Sequence, residues 1–177
     1  MTEKDMLRKE IRGKKHLQSA ESLQCKSEQI MSLLEMHPHF QKAHVVMAYY
    51  ALPDEPATQF RLDEWAKTKQ VLLPVVEGDH LLIREYRGKD SLEVGAFHIM
   101  EPMGPVFSAY ETIDLVVVPG VAFDAALHRL GRGKGYYDRL LSLPEFENCY
   151  KLGICFDFQK VEAVPVEEND ILMDEIL

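Results

Sequence analysis

Cysteine is scarce in this chain of 177 residues, and its three copies, Cys25, Cys149 and Cys155, form no CxxC pair. That argues against a disulfide framework and a structural zinc site, and fits reduced thiols in a cytoplasmic protein. No run approaches the ~18 apolar residues that a membrane span needs. The segment MTEKDMLRKEIRGKKHL lacks the apolar stretch of a signal peptide, and its Glu3, Asp5 and Glu10 count against a transit peptide. Basic residues are in deficit, 20 Lys and Arg against 29 Asp and Glu. The resulting net charge of −9 disfavours a general nucleic-acid binder. Repeats and low-complexity tracts are missing too. With 46% hydrophobic and 28% charged residues, the expectation is one soluble globular domain over residues 1–177, monomeric and without membrane or nucleic-acid partners.

Within that background the apolar pattern is orderly. Leu7, Ile11, Leu17, Ala20, Leu23, Ile30 and Leu34 recur at helical spacing and predict helix over 3–36, with Gly13 as a dividing point and His37-Pro38 as its end. HVVMAYY (44–50) reads as a strand, and Thr58 as the cap of a helix over 59–68. VLLPVV (71–76) and HLLIREY (80–86) flank Glu77-Gly78-Asp79, the pattern of a hairpin. The stretch 87–112 reads as irregular. DLVVVPG (114–120) is apolar throughout its strand core, as buried parallel strands are. A helix over 136–142, a strand at KLGICF (151–156) and an acidic tail follow. Helices alternating with apolar strands predict a three-layer α/β/α fold with a mostly parallel central sheet.

The most informative stretch is VVVPGVAFDAALHRLGRGKGYYDRLL, residues 116–141. Gly131, Gly133 and Gly135 alternate with Arg132 and Lys134, close to Arg129 and Arg139 and just before a helix start. Alternate glycines let a backbone adopt φ > 0 and approach a ligand closely, and the cations between them suit a polyphosphate. The pattern is neither a Walker A motif, since Gly135 and not Ser or Thr follows Lys134, nor the dinucleotide GxGxxG. A basic surface turn is the alternative. None of the histidines has a spacing such as HExxH, and Asp124 with His128 makes no triad by itself.

VVVPGVAFD followed by RLGRGKGYYDRLL resembles the signature of the 5-formyltetrahydrofolate cyclo-ligase family, also called 5,10-methenyltetrahydrofolate synthetases. Lys4-x-x-x-Arg8 resembles that family's N-terminal basic pair, residues 50–55 its folate loop, and VPVEENDILMDEIL its acidic C-terminal motif. The resemblance spans nearly the whole chain. It implies a CoA transferase-like variant of the three-layer fold, and an ATP-dependent closure of 5-formyltetrahydrofolate to 5,10-methenyltetrahydrofolate with Mg²⁺ as cofactor. ATP would then be held by Lys4, Asp5, Met6, Leu7 and Arg8 and by Arg129, Leu130, Gly131, Arg132, Gly133, Lys134, Gly135, Tyr136 and Tyr137. Arg132 and Lys134 would be catalytic. The folate would meet Tyr50, Glu55, Phe97 and the loop from Arg132 to Tyr136, and Asp138 and Asp170 would hold the metal. Taken alone, Asp138 reads rather as a helix first-turn carboxylate, Asp170 as a solvated acid and Lys4 and Arg8 as an exposed helix face, and Phe97 reads at least as well as a core residue. Two alternatives stay open: an ATP-dependent enzyme of this fold that activates another amide or carboxylate, and a non-catalytic folate or nucleotide sensor. The complete set of loop cations and carboxylates argues against the sensor.

Overall fold

The computed structural model describes residues 1–95 and 98–177. Helix α1 (Glu3–His16) opens on a reciprocal capping box: the Thr2 side chain accepts from the Asp5 N–H while the Asp5 carboxylate accepts from the Thr2 N–H. The helix runs straight through Gly13. The break falls at residues 17–19, where Ser19 accepts from the Ser22 N–H and starts α2 (Ala20–Met36). A cap decides the boundary because it satisfies an orphan donor, whereas a helical glycine costs only about 1 kcal/mol. After α3 (Pro38–Lys42) come β1 (Val45–Met47) and α4 (Gln59–Trp65). Thr58 makes no side-chain cap; its hydroxyl donates to the Tyr49 carbonyl at 2.5 Å and pins the preceding loop.

The hairpin expected around Gly78 is present as β2 (Gln70–Glu77) and β3 (His80–Glu85), with Gly78 at φ +63°. A small antiparallel pair, β4 (Leu92–Val94) and β5 (Met100–Pro102), lies in the stretch read as irregular. Then follow β6 (Leu115–Val118), the pair β7 (Ala122–Phe123) and β8 (Arg129–Leu130), α5 (Tyr136–Leu141), β9 (Tyr150–Gly153) and β10 (Glu175–Ile176). The main sheet has the order β10-β9-β6-β1-β2-β3, parallel throughout except for the β2–β3 hairpin.

Period-two alternation gives each strand two buried faces. Val46, Val71, Leu73, Leu115, Val117 and Leu152 pack against Met31, Leu34, Phe40, Leu62 and Trp65 of the α2–α4 layer. Met47, Leu72, Ile83, Val116 and Val118 pack on the other face against Leu140 and Leu141 of α5 and against Phe146. Each such side chain contributes roughly 1.5–3 kcal/mol by leaving water. Phe123 fills this second layer because Gly120 and Gly153 make room: a Cβ at either would come within 2.7 Å of its ring. A third cluster, Leu7 and Ile11 with Ala122, Leu130 and Val164, fastens α1 to the β7–β8 pair.

From β1 the chain crosses to β2 on one side of the sheet order; from β6 it crosses to β9 on the other. These adjacent central strands therefore release their carboxyl-end loops in opposite directions. The crevice between such loops is where open α/β sheets hold ligands.

Candidate functional site

A cavity of about 430 Å³ occupies that crevice. Tyr49, Tyr50, Leu52 and Glu55 line it from the loop after β1, and Pro119 and Gly120 from the loop after β6. One wall is largely aliphatic, with Pro74, Val76, Leu81 and Ile99, and carries Glu101. The other wall is the glycine loop and the start of α5, with Arg129, Gly131, Arg132, Lys134, Tyr136 and Tyr137.

Two of the loop's glycines are required by its conformation. Gly133 and Gly135 sit at φ +101° and +69°, which side chains disfavour. A Cβ at Gly133 would also lie 3.5 Å from the Arg8 guanidinium. Arg8 braces the loop from beneath: its Nε donates to the Gly131 carbonyl at 2.9 Å while Nη1 pairs with Asp5 at 2.8 Å. The expected ATP segment of α1 therefore packs directly on the glycine loop. Within that segment Met6 is exposed, whereas Leu7, like Leu130 of β8, packs into the apolar cluster behind the loop.

Arg129 is only 7% exposed. It donates to the Pro119 carbonyl at 3.1 Å, meets Asp138 at 3.4 Å and lies 5.4 Å above the Tyr137 ring. Its Nε is buried with no hydrogen-bond partner among the described residues, an orphan donor beside the cavity. Arg132 spans two carboxylates, Asp54 at 2.6 and 3.2 Å and Glu55 at 3.1 Å. Burial pushes the Glu55 carboxyl above its ordinary range in spite of the Arg132 charge. Burial acts on Asp54 in the same direction, but the Arg132 hydrogen bonds and charge outweigh it and hold that carboxyl low. Glu55 Oε2 also accepts from the Leu52 N–H at 2.8 Å, so both of its oxygens are engaged.

Asp138 and Asp170 come together through the chain between residues 170 and 171. Asp138 Oδ1 accepts from the Ile171 N–H at 3.1 Å. Asp170 accepts from Lys4 Nζ at 2.7 Å and from the Glu167 N–H at 2.8 Å. Its carboxyl is held low because these bonds and the Lys4 charge outweigh burial. Among the described residues no three His, Cys, Asp or Glu side chains cluster in a way that could hold a metal ion. The two carboxylates are hard donors next to the cationic glycine loop, a set that would suit an ion such as Mg²⁺ sharing its shell with a nucleotide. Lys134, by contrast, has no side-chain partner among the described residues, and only its carbonyl is used, by Arg139 at 2.8 Å. Phe97 lies outside the described residues.

Several lining positions carry no motif. Asp54 lies within the expected folate loop, but its pairing with a residue 78 positions away is invisible in sequence. Pro74, Val76 and Leu81 belong to the hairpin, whose period-two alternation is the signal that could have found them. Asp124 accepts from the Ala126, His128 and Val164 N–H groups and bonds His128 Nδ1 at 3.0 Å, which makes it the anchor of a turn.

A crevice at a sheet's switch point, aliphatic on one wall and cationic on the other, marks an α/β protein that binds a small molecule with an apolar and an anionic part. The family model described as the 5-formyltetrahydrofolate cyclo-ligase family matches residues 1–177, and the chain belongs to that family. The 5-formyltetrahydrofolate cyclo-ligase of Escherichia coli (strain K12) is 30% identical over 173 residues, covering 94% of this chain and 95% of its own. The structure of Aquifex aeolicus 5,10-methenyltetrahydrofolate synthetase is 37% identical with a TM-score of 0.85, covering 99% of this chain and 89% of that one. The Mycoplasma pneumoniae 5,10-methenyltetrahydrofolate synthetase, at 24% identity and a TM-score of 0.75, shares the fold over 99% of this chain and 98% of its own.

Proposed function

We propose that this protein closes 5-formyltetrahydrofolate to 5,10-methenyltetrahydrofolate at the expense of ATP, releasing ADP and phosphate. Membership of the cyclo-ligase family over the whole chain supports the reaction. The observation that carries the site is the cationic glycine loop forming one wall of a largely apolar cavity.

The chemistry explains why both walls are needed. A formyl amide oxygen is a poor leaving group. Transfer of the γ-phosphoryl group to it gives an imidate phosphate and ADP; N10 then attacks the activated carbon, and phosphate leaves with the oxygen. Arg132 and Lys134 would neutralise charge on the transferring phosphoryl group and the formyl oxygen, and the amides of residues 131–135 would donate to phosphate oxygens. Lys4 and Arg8 would extend that cradle along the triphosphate. Mg²⁺ would be held by Asp138 and Asp170, where it neutralises phosphate charge. Tyr50 and Tyr136 offer aromatic surface to the pterin and aminobenzoate rings. In the free protein Glu55 fixes Arg132.

We take the chain to act as a single monomeric unit. Free Cys25, Cys149 and Cys155 support a reducing, cytoplasmic setting, and no described helix is long and apolar enough to cross a membrane. The test is direct: mix the protein with 5-formyltetrahydrofolate and Mg-ATP and follow methenyl absorbance. Product should appear only with both substrates. Tight folate binding without product under any condition would overturn the reading in favour of a sensor.

A further inference from the structure

Five side chains of acids and strong bases line the cavity: Glu55, Glu101, Arg129, Arg132 and Lys134. Arg132 is paired with Glu55, and Arg129 with Asp138. Among the described residues, Lys134 and Glu101 are the two left without a hydrogen bond or ion pair from the side chain. Lys134 is already assigned to phosphate. Glu101 sits on β5, in the wall otherwise built from Pro74, Val76, Leu81 and Ile99.

Two features of the small hairpin bear on that carboxylate. Its place is reserved by Gly95, because a Cβ there would overlap the Glu101 carboxyl group. The Gly95 N–H donates to the Ile99 carbonyl at 2.8 Å, which holds the two arms at this spacing. Second, Glu101 stands directly across the β4–β5 ladder from Glu93, so the two acids share one face. Like charges directly opposite destabilise a strand pair, and neither acid meets a cation among the described residues. A partly buried carboxylate beside aliphatic side chains, unpaired among the described residues and opposed by a like charge, is costly unless a ligand supplies donors.

We propose that Glu101 is the specificity-determining acceptor for the donor edge of the pteridine ring. That edge presents an exocyclic amino group beside a ring N–H, and one carboxylate accepts from both at once. Glu55, the other acid in the cavity, has both oxygens engaged by Leu52 and Arg132. The inference rests on the proposed folate chemistry and adds to it the residue that recognises the ring.

The test measures kcat and KM for 5-formyltetrahydrofolate and for ATP in the wild type, Glu101→Ala, Glu101→Gln and, as a control on the same hairpin face, Glu93→Gln. Loss of a charged acceptor should raise the folate KM of Glu101→Ala by on the order of 10- to 100-fold. The KM for ATP should stay put. Glu101→Gln should fall between, since its amide oxygen accepts one bond while its NH₂ meets a donor; it decides the matter alone if the alanine variant does not fold. Glu93→Gln should behave as wild type. An unchanged folate KM at position 101, a parallel rise in the KM for ATP, or an equal effect at Glu93 would overturn the assignment. A wild type that forms no methenyl product is a separate outcome, which removes the folate reading itself.

Discussion

The two walls of the cavity are built in opposite ways. On the glycine-loop side three cations are fixed by partners far away in sequence: Arg8 by the Gly131 carbonyl, Lys4 by Asp170, and Arg132 by Asp54 and Glu55. On the strand side, Pro74, Val76 and Leu81 are set by the register of one local hairpin and by packing. The first wall is an electrostatic assembly whose dipoles and charges are oriented before any ligand arrives, which is where such groups are most effective. The second supplies shape and dryness. On the proposed reading chemistry and binding surface are separable, and substitutions should separate them.

The largest effect should come from removing the loop's cations. Lys134→Ala and Arg132→Ala should each lower kcat/KM by on the order of 10²-fold or more, read in the methenyl absorbance assay. They should differ in stability. Lys134 has no side-chain partner among the described residues, so its loss should leave the denaturant midpoint in place. Loss of Arg132 strands Glu55, whose carboxyl burial already pushes up. A raised folded pKa means that the folded state holds its proton more tightly than the unfolded chain, so destabilisation grows as pH rises through that range. Arg132→Ala should therefore lose more stability at neutral pH than in mild acid; a pH-independent loss would contradict the pairing.

Next in size is Leu81→Ala on the strand wall. Leu81 is 7% exposed within the α5-side core, and its truncation should cost roughly 2–5 kcal/mol of unfolding free energy. The KM for ATP should not move. A shift in ATP binding as large as the one from the loop variants would erase the distinction between the walls.

The smallest expected change belongs to Asp54→Asn. The Arg132 bonds hold Asp54 below its ordinary value of 3.8 against the effect of burial. A depressed folded pKa contributes stability that is present above the unfolded value and lost as pH falls through the folded one. Denaturation curves of the wild type should thus weaken below about pH 4 more than those of the variant.

Much of this architecture is legible in the chain. The run Leu115–Val118 that forms β6 is apolar at all four positions and is buried on both faces, and Gly78 announces its hairpin. The alternating glycines imply a loop with positive φ, found at Gly133 and Gly135. Other features depend on tertiary context. Gly13 has the look of a break, yet Ser19 sets it through one side-chain hydrogen bond. HVVMAYY is strand only over Val45–Met47, because Tyr49 and Tyr50 already belong to the cavity loop. β10 is two residues long, and only its parallel pairing with Leu152 and Gly153 makes it a strand. The contacts of Asp54 with Arg132, Asp138 with Ile171 and Asp170 with Lys4 reach too far in sequence for any local pattern to reveal.

The contact between Lys4 and Asp170 spans 166 positions. Translation delivers α1 early and its carboxylate partner long afterwards. Throughout that interval Lys4 lacks its carboxylate partner, and the segment that steadies Asp138 is not yet made. Contacts of such separation are also slow to close once the chain is free, because loop entropy must be overcome before they form. Ligand capacity should accordingly be among the last properties that this protein acquires on its way from the ribosome to the folded state.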